Sequence, residues 1–195
     1  DDIGLRVHFK PYQLPHPPIA LAGISEKSET LALAGERGWI PMSINFAPTR
    51  ILMSHWDSVT KGSAKTGLQP NRREWRIARE IFVADSTKEA RRIAQQGVLA
   101  RDFEQFFHPL IAKGRGIDIV KQDPNMPDSD VTTEYMMEKV WIVGNREEVA
   151  EKIGILNDAV GGFGVLLAMG HEWLPREAWL DSMGLLINEI VPMID

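Results

Sequence analysis

Residues 18–39 read PIALAGISEKSETLALAGERGW, an apolar run that stops on Gly23 and passes through Ser25, Lys27 and Ser28 into a helical pattern. At the start of a helix, free backbone N–H groups and the positive end of the helix dipole point at whatever sits there. Serine hydroxyls add donors and a lysine adds positive charge. Residues of these types at this spacing form an anion site by chemistry, and a phosphate suits it. The plainer alternative is that Ser25 only caps the helix and Lys27 is solvated. No P-loop and no GxGxxG is present, so the stretch is no dedicated nucleotide fingerprint.

His171, in MGHEW, directly follows another apolar run and so falls at the end of a strand. A histidine there can hydrogen-bond or move protons near neutral pH. It faces a ligand, with Trp173 against a flat ring, or it caps the strand while Trp173 joins the core. Asn45 and Phe46 border a ligand or merely begin a loop. Arg72, Arg73 and Arg76 form a small basic cluster, a solvated face or a contact for an anionic partner. Met136, Met137 and Trp141 line an apolar cavity or belong to the core. His8, His16 and His55 fall in a strand, a proline-rich connector and a helix, and no pair has metal-ligand spacing, so no metal is expected.

The elements that must position these residues follow from periodicity. Leu5, Val7 and Phe9 alternate with polar residues as in a half-exposed strand. PYQLPHPP, with four prolines in eight residues, is an extended connector. PIALAG, WIPMSIN, EWRIAREIFVA and GGFGVLLAMG are buried-type strands. Helices are expected at 26–38, from Pro48 to a frayed end at KGSAKTG, from the Ser86–Glu89 capping box to about Phe107, from Asn145, and from Pro175 to about Ile190. His108-Pro109 should interrupt the third of these. Residues 114–132 have no clear period and read as a long loop or insertion. The order is β-α repeated four times, which implies parallel strands with right-handed crossovers. Sites in such sheets lie at the C-terminal strand ends, after Gly23, Ile44, Ala84 and Met169.

The chain has 195 residues and a net charge of −5, enough for a single domain over 1–195 and without the basic surface that nucleic acid would need. It has no cysteine, which excludes thiolate chemistry and fits a reducing, cytoplasmic setting. No apolar run approaches the roughly 20 residues that span a bilayer. The N-terminus lacks the basic start and apolar core of a signal peptide.

Several of these motifs, in this order, resemble the bacterial luciferase-like flavin monooxygenases, in particular their limonene-monooxygenase-like branch. PYQLPHPPIALAGISEKSETLALAGERGWIPMSI looks like that family's fifth strand and helix, and EWRIAREIFVADSTKEAR like its seventh strand and following turn. IVGNREEVAEKI is similar to its GTPEEVAEKL helix start. GGFGVLLAMGHEW and INEIVPMI look like its eighth strand and its terminus. The resemblance implies a (β/α)8 TIM barrel of which only about the last four β/α units are present. It implies that Ser25, Lys27 and Ser28 receive the phosphate of reduced FMN while the backbone at Ala22 and Gly23 approaches the flavin, with His171 at the same rim. It assigns no catalytic residue here, because the family's catalytic histidine belongs to the first four strands. The implied activity is oxygenation of a small apolar organic substrate with O2, FMN being reduced by a separate flavin reductase. A half barrel would need a partner half, and a homodimer is expected. Two alternatives stay open: a deazaflavin (F420)-dependent oxidoreductase, and a non-catalytic flavin-binding or structural half barrel.

Overall fold

The computed structural model describes residues 9–114 and 116–194. The strand expected around Leu5 and Val7 lies outside the described residues. Four strands form the continuous part of one parallel sheet: β1 (Ala20–Gly23), β2 (Ile40–Ser43), β3 (Arg76–Val83) and β5 (Val165–Met169). β1 pairs with β2 and β2 with β3, while the first five residues of β3 pair with β5. A further short strand that periodicity does not announce, β4 (Ile142–Gly144), pairs with the C-terminal end of β3 at Ile81–Val83.

The crossovers carry helices α1 (Glu29–Arg37), α2 (Thr49–Ala64), α3 (Thr87–Gln96), α4 (Val98–Asp102), α5 (His108–Gly114), α6 (Thr133–Lys139) and α7 (Arg146–Val160), and α8 (Arg176–Leu185) and α9 (Val191–Ile194) follow β5. Two of the expected caps are in place: Ser86 Oγ accepts from Glu89 N at 3.2 Å, and Asn145 Oδ1 from Glu148 N at 2.9 Å. Val149, Ile153, Leu156 and Val160 of α7 are buried at helical spacing. α2 ends at Ala64, inside the expected fraying at KGSAKTG.

His108-Pro109 does not end helical structure. Phe103–Phe107 forms a wide π-type turn in which His108 N bonds back to Phe103 O, and α5 continues from it. Proline offers no N–H to a regular helix, and the wider turn lets the chain carry it. Gly97 breaks the same stretch earlier, between α3 and α4. Within 116–132 the chain forms two short 3-10 turns, Ile117–Val120 and Asp128–Asp130, tied by Lys121 Nζ to Asp118 at 2.8 Å and Asp128 at 2.6 Å.

Alternation along β3 sends Ile77 and Ile81 towards α2 and α7, where Leu52, Trp56 and Ile153 complete a core. A second core gathers Phe82, Phe103 and Trp179 with Met136, Met137 and Trp141, so these last three are packing residues. α1 and α2 cross backbone to backbone. A Cβ on Gly35 would meet Val59 O at 2.0 Å, and one on Gly62 would meet Ala32 O at 1.8 Å. Only glycine permits that approach. The sheet face opposite the helices carries Ala20, Ala22, Ile40, Met42, Val165 and Leu167, exposed or half-buried among the described residues.

Candidate functional site

The turn between β1 and α1 opens at the C-terminal edge of the sheet. Ser28, not Ser25, is the N-cap, and α1 starts at Glu29 instead of residue 26. The Ser28 side chain is buried; it accepts from Leu31 N at 3.4 Å and lies 2.8 Å from Thr30 Oγ1. Thr30 Oγ1 donates to Ala22 O at 3.0 Å, which ties the strand end to the helix start. Gly23 is needed because a Cβ there would meet Leu31 Cγ at 2.5 Å and Ser28 Oγ at 2.8 Å. Ser25 is half-buried and Lys27 is exposed, with a positive φ of 53°. Lys27 also borders an open groove of about 720 Å³ between α1 and α2. The first-turn N–H groups of Glu29 and Thr30 have no acceptor within the helix. Glu26 is a carboxylate that would repel an anion, but Arg50 pairs with it at 2.8 Å. The turn therefore has the donors and the dipole to hold an anion.

Two further groups stand at this edge of the sheet, one behind the turn and one across the sheet from it, and their partnerships have no local mark in the sequence. Behind the turn, His55 on α2 is fully buried, with Nδ1 2.8 Å from Ser43 Oγ and Nε2 3.0 Å from Ser25 O. Burial lowers its pKa to about 4; the Ser25 carbonyl opposes the shift and Arg79 adds to it. The ring is neutral near pH 7.

Across the sheet, where Glu80 of β3 pairs with the end of β5, His171 Nδ1 contacts Asp102 Oδ2 at 2.7 Å, and its Nε2 stands 3.7 Å from Glu80 Oε1. Glu80 and Asp102 raise the pKa of His171 against the lowering effect of burial. Glu80 is buried, accepts from Asn45 Nδ2, and sits next to the buried Arg79. Arg79 donates to Ala47 O at 2.8 Å and to Asn45 O at 3.3 Å. Asn45 ties the end of β2 to Glu80. Arg101 pairs with Asp102 at 2.7 Å and with Glu172 at 3.0 Å, so the network reaches the surface. Trp173 stacks on Trp179 with a positive φ of 54°. His171 and Ser25 follow different strands at the same edge of the sheet, and the structure joins each to its own set of partners.

The remaining basic cluster resolves differently. Arg72 lies over the Trp56 ring, 4.7 Å from its centre, and donates to Val160 O at 2.6 Å and Gly162 O at 3.1 Å, clamping the end of α7. Among the described residues no group of three or more His, Cys, Asp and Glu side chains could hold a metal ion, and no helix is long and apolar enough to cross a membrane.

A parallel α/β sheet with its polar groups gathered at the C-terminal strand ends is the arrangement of barrel and doubly wound α/β proteins, whose sites lie at that edge. A family model described as luciferase-like monooxygenase matches residues 4–161, and the chain belongs to that family. It is 32% identical over 187 residues to 3,6-diketocamphane 1,6-monooxygenase of Pseudomonas putida, covering 95% of this chain and 49% of that protein. It is 25% identical over 142 residues to limonene 1,2-monooxygenase of Rhodococcus erythropolis, covering 72% of this chain and 34% of that one. Among solved structures it matches the oxygenating constituent of 3,6-diketocamphane monooxygenase from P. putida, a type II Baeyer–Villiger monooxygenase in complex with FMN. That match has a TM-score of 0.84 and 31% identity, over 92% of this chain and 50% of that chain. The chain spans about half the length of the curated relatives it matches.

Proposed function

We propose that the chain forms the C-terminal half of a (β/α)8 barrel that binds reduced FMN and oxygenates a small apolar organic substrate with O2. The observation that carries this reading is the open turn at the start of α1, whose donors and dipole fit a phosphate. Likeness to a protein solved with FMN supports it. The coverage of about half of the diketocamphane monooxygenase relatives, and the apolar sheet face left partly uncovered, support the half-barrel assignment.

In this reading Ser25, Lys27 and the first-turn N–H groups hold the phosphate. Ser28 shapes the turn through its cap, and the backbone at Ala22 and Gly23 borders the flavin. Ala22, Met42 and Leu167 offer the apolar wall that keeps water from the reacting centre. His171 acts at the rim through its two carboxylate partners, holding the loop after β5 beside the cofactor. Bound reduced FMN supplies the activation of O2, and the protein supplies binding, orientation and a dry site. A flavin reductase delivers the reduced cofactor, and two copies pair as a homodimer in the cytoplasm.

Binding of FMN and riboflavin, followed by flavin fluorescence, tests the phosphate placement. FMN should bind at least about tenfold more tightly, and Ser25→Ala combined with Ser28→Ala should remove most of that preference. Unchanged FMN affinity in the double variant would place the phosphate elsewhere. Oxygen-dependent product formation with a reductase present separates an enzyme from a flavin binder. A bound chromophore with the absorbance of F420 would favour the deazaflavin alternative.

A further inference from the structure

The phosphate-binding turn proposed above is gripped from behind by α2 at two backbone atoms. His55 Nε2 lies 3.0 Å from Ser25 O, and Lys27 N donates to Ser54 Oγ at 3.0 Å. Ser54 Oγ in turn donates to Ile51 O at 2.7 Å, so its acceptor side faces Lys27.

The direction of every bond through His55 is fixed by chemistry. Ser25 O is a carbonyl and only accepts, so Nε2 carries a proton. In the neutral ring Nδ1 then accepts, and its partner at 2.8 Å, Ser43 Oγ, must donate. Ser43 Oγ is left with acceptor capacity, which Trp75 Nε1 fills at 2.9 Å. Indole N–H can only donate, so the order Trp75, Ser43, His55, Ser25 is the one assignment that satisfies all four groups. Trp75, Ser43 and His55 are all buried, where an unmet polar group is costly.

We infer that His55 is a positioning residue: the chain Trp75–Ser43–His55 fixes the orientation of the Ser25–Glu26 peptide and so aims its N–H at the anion. The inference rests on the phosphate reading given above. In a trans peptide the carbonyl and the following N–H point in opposite directions. A Ser25 carbonyl held towards α2 therefore turns the Glu26 N–H away from α2. Without the His55 donor, that peptide is free to rotate and present its carbonyl oxygen, a negative end, to the phosphate. The crossing at Gly35 and Gly62 keeps α2 close enough to α1 for this grip.

The test uses FMN and riboflavin as paired probes, because riboflavin lacks the phosphate. In His55→Leu, FMN affinity should fall about tenfold with riboflavin affinity unchanged, while His55→Gln, which keeps a donor, should restore part of the difference. If His55→Leu does not fold, Ser43→Ala removes the Nδ1 partner and should lower the FMN-to-riboflavin ratio by a few-fold. Nitrogen-15 NMR of the wild-type imidazole, which needs no flavin, should show a proton on Nε2 and none on Nδ1. The opposite tautomer, or a folded His55→Leu that keeps the full preference for FMN, would overturn the inference. A wild-type protein with no preference for FMN over riboflavin would instead refute the phosphate placement, and the tautomer would still decide the hydrogen-bond chain.

Discussion

Two histidines serve the C-terminal edge of this sheet by opposite physics. His55 sits behind the first turn, fully buried, with its pKa lowered to about 4 and its two nitrogens matched to one donor and one acceptor. His171 sits at the far rim between Glu80 and Asp102, which raise its pKa. The first loses its fit when it gains a proton, and the second loses its fit when it gives one up. A turn suited to an anion is best served by a neutral support, whose hydrogen bonds keep their direction and strength as salt varies. A rim that joins β3, α4 and the loop after β5 is held by charges, and so is open to pH and salt.

The contrast can be strained in four places. The largest effect is expected on the neutral side, from Gly62→Ala. A Cβ 1.8 Å from Ala32 O forces α1 and α2 apart, at a loss of about 3 kcal/mol or more in urea unfolding that is insensitive to salt. Next comes acid. Because the folded pKa of His55 lies below its ordinary 6.5, the unfolded chain takes up the proton first. Stability should fall as pH drops from about 6.5 towards 4, with about 2–3 kcal/mol lost by the lower limit, and His55→Gln should flatten that slope.

On the charged side, His171 runs the other way. Its raised pKa gives a contribution that is fully present below its ordinary value of 6.5 and fades as pH rises through the folded value. Asp102→Asn should cost about 1–2 kcal/mol at pH 6 and less at pH 9, measured by thermal unfolding at both. The smallest effect is Ser28→Ala, about 1 kcal/mol from the lost cap, with no dependence on pH. Equal pH slopes in His55→Gln and Asp102→Asn would show that the two histidines do not differ as described.

Much of the architecture is legible because its signals are local. The caps at Ser86 and Asn145 and the spacing of Val149, Ile153, Leu156 and Val160 declare themselves within a few residues. The anion-suited turn is legible for the same reason, although its cap lies three residues later than Ser25. What escapes is non-local. His55 occupies an apolar stripe of α2, and nothing near it in sequence announces Ser25 or Ser43. Glu80 and His171 meet only when β3 and β5 pair, and Asp102 reaches them from α4. β4 is too short, at three residues, to show a period of its own. Arg79 and Glu80 lie in a strand that composition alone reads as buried, and their pairing with Asn45 has no local mark.

The π-type turn at Phe103–Phe107 amounts to one residue more than a regular coil would use. An extra residue turns everything beyond it by about 100° around the helix axis. Phe107, the last residue of that turn, packs its ring 4.6 Å from Phe46 and edge-on to His171. A single-residue deletion in this segment would rewind the rod and swing a different side chain over the imidazole. Chain length here, as much as side-chain identity, decides what roofs the far rim.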